Sequence, residues 1–154
     1  MTPLALSLHC DQLAPMAYMP PELASRVYNT LADKTLPPPV FNTLLALSEL
    51  CDPHGGPIPL AEIQRYSRAV MRVELSDRTV KGAVKQLIEQ YGVAIGSARG
   101  AARHGYFFIR TDEEATAAAA PLLAEIRSLA TRCRTLSPKN PYIQHLLGQM
   151  EVQL

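Results

Sequence analysis

The sequence has no tryptophan, and aromatic residues make up only 6% of its 154 residues. A core built from this composition has to be filled by leucine, valine, isoleucine and alanine. The chain can supply them, because 47% of its residues are hydrophobic. Disordered chains have too little apolar surface to form a core, and a chain with this hydrophobic content and only 19% charged residues is not of that class. At this length we expect about one domain.

Long apolar runs and a cysteine framework are also missing. No window approaches the ~18 uninterrupted apolar residues of a membrane span, and the N-terminus lacks the basic start and apolar stretch of a signal peptide. The three cysteines, Cys10, Cys51 and Cys133, are odd in number and widely spaced, unlike a disulfide set. We therefore expect no membrane association and a location in the reducing cytoplasm.

Motifs for catalysis, metal binding and phosphate binding are absent or incomplete. No Ser/His/Asp or Cys/His arrangement has a supporting motif, and the glycine-rich stretch 95–105 lacks the Gly-Lys-Ser/Thr of a phosphate loop. Cys51 and His54 hint at a metal site, but a structural zinc needs four ligands, and the adjacent His9 and Cys10 are poorly placed to chelate together. We expect buried thiols and surface histidines instead, with no enzymatic activity, no cofactor and no metal.

The net charge is only +1, but the charges are segregated along the chain. Between residues 61 and 110 nine lysines and arginines stand against four acids, whereas the remainder has six bases and ten acids. Such segregation is typical of a face that binds a polyanion, although a solvated surface can produce the same skew by chance. Three arginines recur at helical spacing in this stretch, and a role in phosphate contacts and a role in salt bridges are about equally good interpretations of them. The arginines are Arg65, Arg68 and Arg72, and the nearby acids are Glu62 and Glu74.

Prolines and glycines divide the chain into a Pro-rich N-terminal arm (1–39), a domain (40–110) and a C-terminal helical extension (111–154). Within the arm, we predict a short helix at 21–33 and an extended linker at the triple proline of 36–40. Apolar residues at helical spacing predict further helices, at 40–52, 59–71, 76–92, 112–136 and 142–154.

The long helix at 112–136 contains Pro121, which predicts a kink or a break. Its apolar seam consists of Leu122, Ile126, Leu129 and Cys133, and we expect Cys133 to lie in the core. The seam has two possible uses: it packs on the core, or it pairs with a second copy in a homodimer with two-fold symmetry.

The helix at 76–92 has the clearest boundaries. Ser76 is a natural N-cap, Asp77 suits the positive end of the helix dipole, and Gly92 fits the C-terminal stop. One face is apolar and is expected to point inward: Val80, Val84, Leu87, Ile88 and Tyr91. The opposite face carries basic residues, Arg78 and Lys85, with Lys81 at its flank.

Residues 93–97 and 105–110 predict the two strands of a hairpin whose loop carries Arg99, Arg103 and His104. Three aromatic residues follow one another in the second strand and must alternate between its faces. We expect Phe107 to point inward, with Tyr106 and Phe108 on the other face, but the opposite assignment is nearly as good.

The order of elements predicts a mainly α protein with a small β-hairpin, arranged as a winged helix-turn-helix followed by a long C-terminal helix. A helix with outward Arg and Lys suits the DNA major groove, and a small basic hairpin suits the phosphates or the neighbouring minor groove. The solvated face of an ordinary helix carries the same residue types, so the basic hairpin beside it is what favours DNA.

Residues 75–115, LSDRTVKGAVKQLIEQYGVAIGSARGAARHGYFFIRTDEEA, resemble the winged-helix segment of small DNA-binding proteins of phages and bacterial mobile elements. The shared features are a Ser-Asp-Arg helix start, Gly-x-x-Ile-Gly-Ser, a short loop, Gly-Tyr-Phe and a following Thr-x-Glu-Glu. The resemblance extends over roughly 40–136, with a longer link at 67–75 and a wing tip without the usual Pro-Gly. It implies DNA binding, a role in replication or regulation, and no catalytic residues. By that resemblance the DNA-facing helix residues are Arg78, Thr79, Lys81 and Lys85, and the wing residues are Arg99, Arg103 and His104.

We therefore predict a non-enzymatic protein that binds double-stranded DNA and regulates transcription or the replication of a phage or plasmid. The alternative is a protein–protein adaptor that keeps the winged-helix shape and binds its partner through the Pro-rich arm and the apolar tail. Affinity for DNA would fall steeply with salt, whereas an adaptor would ignore DNA.

Overall fold

The computed structural model describes residues 18–100 and 103–153, and over these ranges the protein is mainly helical with one β-hairpin. The elements are α1 (Pro21–Ala32), α2 (Pro38–Leu50), α3 (Leu60–Tyr66), a π turn (Ser67–Met71), α4 (Asp77–Glu89), β1 (Ile95–Arg99), β2 (His104–Phe108), α5 (Asp112–Leu136) and α6 (Pro141–Gln153). The predicted fold class is confirmed at this level. Within these ranges, no helix combines the length and the apolar character needed to cross a lipid bilayer.

Both α1 and α2 begin at prolines. Pro21 opens α1, and the first turn of α2 contains Pro38 and Pro39, where a residue without an N–H group loses no helical hydrogen bond. The carbonyl of Pro37 accepts hydrogen bonds from the first two available N–H groups of α2, at 2.9 and 3.0 Å. The extended linker predicted for 36–40 is therefore wrong, because the helix starts inside the triple proline.

The helix predicted at 59–71 ends in a wider turn than an α-helix has. α3 runs into the π turn, and Arg72 closes the turn in the left-handed region with φ +58°. The carbonyl of Ser67 accepts hydrogen bonds from the N–H groups of Arg72 and Val73, the second at 3.1 Å. The chain then has no regular secondary structure as far as Ser76, the N-cap of α4.

One aliphatic core joins α1, α2, α3, α4 and the hairpin. The largest apolar side chains with almost no exposure are Val27, Leu44, Leu47, Ile63, Val80, Leu87 and Val93. Among the described residues Phe108 is the only buried aromatic, so aliphatic side chains fill the core as the composition predicts. The core also contains Met19, Leu23, Val27, Leu31 and Leu36, which lie in the segment predicted as an N-terminal arm. Residues 1–17 of that arm are outside the described ranges, and the three-part division of the chain stays a prediction.

The inward face of α4 differs from the prediction at one edge. Its buried residues are Val80, Ala83, Val84 and Leu87, whereas Ile88 is 44% exposed. The inward position predicted for Ile88 is wrong. Each residue turns the helix by about 100°, so Ile88, one residue after the buried Leu87, lies beyond the edge of the face that α2 covers. α2 and α4 make the most extensive contact between helices of this region.

The hairpin is antiparallel, with Ile95 opposite Phe108 and Arg99 opposite His104. Phe108 is 3% exposed and belongs to the core, whereas the ring of Phe107 lies over Gly96 and is only half-buried. The preferred inward assignment of Phe107 is therefore wrong, and the opposite assignment is correct. The pairing gives the reason, since Phe108 lies across from the buried Ile95 at the end of the hairpin nearest the core.

The segment before α3 holds the hairpin in place. Ile58 and Tyr106 exchange both backbone hydrogen bonds, at 2.7 and 2.9 Å, so this segment forms an isolated bridge to β2. Gly105 makes the approach possible: its φ is +140°, and a Cβ there would collide with the backbone carbonyl of Ile58.

Internal contacts divide the chain into two units, and the second unit comprises 115–154. α5 continues unbroken through Pro121, so of the two outcomes predicted there the break does not occur. Asn140 starts α6, where its Oδ1 accepts from the N–H groups of Tyr142 and Ile143 at 3.1 and 3.3 Å. α5 has no buried residue, and Cys133 is exposed. Its predicted core position is wrong, because no described residue covers that part of the seam.

Candidate nucleic-acid interface

The start of α4 is fixed by local and by long-range hydrogen bonds. The Ser76 hydroxyl accepts from the N–H group of Thr79 at 3.2 Å and lies 2.7 Å from the Thr79 hydroxyl. From α3, the Gln64 side-chain amide donates to the Leu75 carbonyl and to Asp77 Oδ1, both at 2.9 Å. Gln64 therefore positions α4. Nothing in the sequence indicates this role, because a polar residue on a helix gives no signal of a partner 13 positions away.

The outward face of α4 presents its basic residues to solvent. Arg78, Lys81 and Lys85 are all exposed, at spacings of three and four residues that place them on one side of the helix. Lys85 Nζ lies 4.0 Å from Glu89 in a solvent-exposed pair, which is a weak interaction. Within the described ranges, Arg78 and Lys81 make no ion pair. Thr79, also predicted to face DNA, is half-buried and uses its hydroxyl in the cap.

The hairpin adds a second group of cations. Arg99 at the end of β1 and His104 at the start of β2 are cross-strand neighbours, and both are exposed. Arg103 is exposed beside them, while Ala101 and Ala102 at the tip fall outside the described ranges. The three predicted wing residues thus lie together at the end of the hairpin away from the core.

Tyr106 of β2 is influenced by charges on both β1 and the start of α4. Its ring packs against the core, and this burial raises the pKa of its hydroxyl above the ordinary value of 10.0. Two charges act on the same hydroxyl: Arg99 lowers its pKa and Asp77 raises it. The guanidinium of β1 and the first carboxylate of α4 therefore lie within electrostatic range of one phenol. α4 and β1 are also in direct contact. The two groups of cations consequently occur on adjoining elements.

Four cations of the basic stretch are engaged with the protein's own acids or carbonyls. Arg65 lies 3.4 Å from Glu62 and Arg68 lies 3.0 Å from Glu74, which favours the salt-bridge interpretation of these arginines. Lys85 has the weak pair already described, and Arg110 is engaged most completely. In the described part of the chain this leaves five basic residues of the stretch without an ion pair: Arg72, Arg78, Lys81, Arg99 and Arg103.

Arg110 is a structural residue. Its side chain is only 14% exposed, and its Nη1 donates to the carbonyls of Asp52 and Pro53 at 3.3 and 3.2 Å. Its Nη2 lies 3.5 Å from Glu114, whose carboxylate also accepts from the backbone N–H of Arg110 at 2.7 Å. Gly55 leaves the space that the guanidinium fills, because a Cβ there would collide with it. The arginine joins the end of the hairpin to the turn after α2.

No protein-family model, curated protein or solved structure matches this chain. The family resemblance of residues 75–115 therefore stays a prediction that rests on the residues themselves.

Metal-ligand geometry does not occur in the part of the chain that the structure describes. No group of three His, Cys, Asp or Glu residues in those ranges is arranged to hold a metal ion. Cys51 is half-buried, and its burial raises the pKa of the thiol. His54, three residues later in the chain, is exposed, and its backbone N–H donates to Asp52 Oδ1 at 2.8 Å. His9 and Cys10 lie outside the described ranges.

Proposed function

We propose that this protein is a non-enzymatic binder of double-stranded DNA that uses a winged-helix arrangement, with α4 in the major groove and the hairpin on the adjacent backbone. The proposal rests on two groups of cations that occur on elements in contact with each other, Arg78 and Lys81 on α4 and Arg99 and Arg103 on the hairpin. All four are exposed and, in the described ranges, free of acidic partners. Their charge is available to replace the counterions of phosphate groups.

The way the elements are connected supports the same proposal. Four helices precede the hairpin, and the last three of them, α2, α3 and α4, stand in the order of a winged helix-turn-helix. The segment at Ile58 adds a strand-like bridge to β2. Gln64 holds the helix before α4 to the N-terminus of α4 through two hydrogen bonds, which limits the angle between the two helices. The small residues of the hairpin loop allow its backbone to approach a phosphate closely.

A regulatory role in transcription, or in the replication of a phage or plasmid, extends this proposal. It rests on the resemblance of residues 75–115 alone. Function on intracellular DNA would place the protein in the cytoplasm.

Salt dependence of binding to a fluorescein-labelled 30-base-pair duplex tests the proposal. If Arg78, Lys81, Arg99 and Arg103 each contact a phosphate, the log–log slope is about −3.6, and affinity falls about 150-fold between 50 and 200 mM salt. In the double variant Arg78→Ala/Lys81→Ala the slope becomes less steep, about −1.8, and the loss of affinity over the same salt range falls to about 12-fold.

The matched control is Arg65→Ala/Arg68→Ala, which removes the same number of basic residues from positions paired with Glu62 and Glu74. We expect its slope to stay close to that of the unmodified protein. Absence of binding at 50 mM salt would overturn the proposal and favour the adaptor. An equal slope change in both double variants would show that the effect comes from net charge and not from this face.

A further inference from the structure

α5 carries a leucine repeat that its own unit leaves uncovered. Leu122, Leu129 and Leu136 are spaced seven residues apart and are 60%, 48% and 82% exposed. Ile126 and Cys133 fall between them, so the seam alternates steps of four and three residues. A 3.5-residue repeat is the pattern by which one helix packs along another, whereas an isolated exposed leucine needs no explanation.

α6 does not cover this repeat. It packs on the neighbouring flank of α5, where Ile126, Ala130 and Arg134 face Leu147 across a cleft of about 230 Å³. Leu147 is the buried residue among those of α6 whose burial the structure describes, 141–150. Gln144 Nε2 donates to the Ser137 carbonyl at 3.0 Å and fixes the connection between the two helices. α6 thus uses one side of the seam and leaves the three leucines free for another helix.

Charges on the other flank define which helix fits. Glu125 and Arg132 are exposed, lie on the side of the leucines away from α6, and are one heptad apart. They have opposite signs and make no ion pair in the described ranges. A second α5 running in the opposite direction places its Arg132 beside Glu125 and its Glu125 beside Arg132. A parallel copy would bring Glu125 to the partner's Ala130, which offers no charge.

We propose that α5 pairs with α5 of a second copy in an antiparallel homodimer. Leu122 packs against the partner's Cys133, Ile126 packs against the partner's Leu129, and the Glu125–Arg132 pair forms twice. The flank of α5 that carries Glu125 and Arg132 faces the same flank of the partner's α5 across the two-fold axis. Both α6 helices therefore lie on the opposite side of the α5 pair. The proposal is independent of DNA binding, since it uses only residues of the second unit.

Sedimentation of the full-length protein tests association and its charge pattern. We expect a dimer of twice 16.9 kDa at micromolar concentration. Glu125→Arg alone and Arg132→Glu alone each weaken the dimer about tenfold, because each creates two like-charge contacts. The double variant Glu125→Arg/Arg132→Glu restores it. A chain that remains monomeric up to 100 µM overturns the proposal, and so does a double variant as weak as the singles.

Disulfide trapping tests the direction of pairing. In a background with Cys10→Ser and Cys51→Ser, Leu122→Cys should form a covalent dimer with the partner's Cys133 under mild oxidation. The same background without Leu122→Cys should stay uncrosslinked, and so should Leu122→Cys combined with Cys133→Ser. A covalent dimer in either of these two controls would join identical positions of the two copies, which would establish parallel pairing and overturn the proposal.

Discussion

Replacing Gly105 with alanine tests how the hairpin is held against the helices. The glycine has φ +140°, a conformation that costs an alanine on the order of 1–3 kcal/mol. Its new Cβ would also collide with the carbonyl of Ile58, a backbone group that cannot rotate away as a side chain does. Relief of the collision separates Ile58 from Tyr106 and removes two backbone hydrogen bonds, of 2.7 and 2.9 Å, each contributing about 1 kcal/mol.

Together these effects lower the free energy of unfolding by about 4 kcal/mol, a large part of the 5–15 kcal/mol of a typical domain. With a urea dependence of about 2 kcal/mol per molar, the unfolding midpoint falls by about 2 M, measured from helical circular dichroism. Gly82→Ala is the matched control, because it adds the same methyl group in the middle of α4, where no atom other than the neighbouring residues and the helix's own backbone lies within 4 Å. There alanine is the better helix former, so the midpoint should rise by about 0.4 M.

The reasoning is refuted if Gly105→Ala unfolds at the same urea concentration as the unmodified protein, since the hairpin would then not be docked at Ile58. The DNA proposal adds a second readout, because a detached hairpin no longer holds Arg99 beside α4. Gly105→Ala should then also weaken DNA binding under conditions where the variant is still folded.

Two further predictions concern Arg110 and two partly buried tyrosines, Tyr66 and Tyr106. Arg110→Ala should lower the free energy of unfolding by about 2–3 kcal/mol, because the carbonyls of Asp52 and Pro53 lose their donor. It should leave the salt slope of DNA binding unchanged, and a smaller slope would show that Arg110 reaches phosphate after all. Burial raises the pKa of the hydroxyls of Tyr66 and Tyr106 above 10.0, so the unfolded chain loses these protons at a lower pH than the folded chain. Stability should therefore be unaffected by them below about pH 10 and fall as the pH rises further. Urea midpoints at pH 8–11 check this, and a fall of the same size in Tyr66→Phe/Tyr106→Phe would contradict it.

Local signals in the sequence predicted the elements that depend on neighbouring residues. Ser76 and Asp77 gave the start of α4 because capping is a matter of three or four consecutive residues. The same reasoning about prolines went wrong at Pro38, because proline is excluded from the interior of a helix but is accepted in its first turn. Whether such a proline forms part of an extended linker or begins a helix depends on whether the residues after it are helical.

Local sequence signals do not predict features that depend on residues far apart in the chain. Alternation in β2 showed that Phe107 and Phe108 point to opposite faces, but only the pairing with Ile95 decides which face is the core. A count of basic residues included Arg110, although its partners lie 57 and 58 positions earlier and bury it. The seam of α5 was visible, but nothing in a single chain says what covers Cys133.

The π turn between α3 and α4 makes this chain unequally sensitive to changes in its length. A π turn contains about one residue more than an α turn, so loss of a single residue within 67–71 is absorbed when the turn closes with ordinary helical hydrogen bonds. Loss of a single residue within α4 cannot be absorbed in this way, because α4 is an ordinary α-helix. It would rotate every later side chain of that helix by about 100°, turning its buried residues outward and its lysines towards the core. A single-residue deletion is therefore expected to be tolerated within 67–71 far better than within α4.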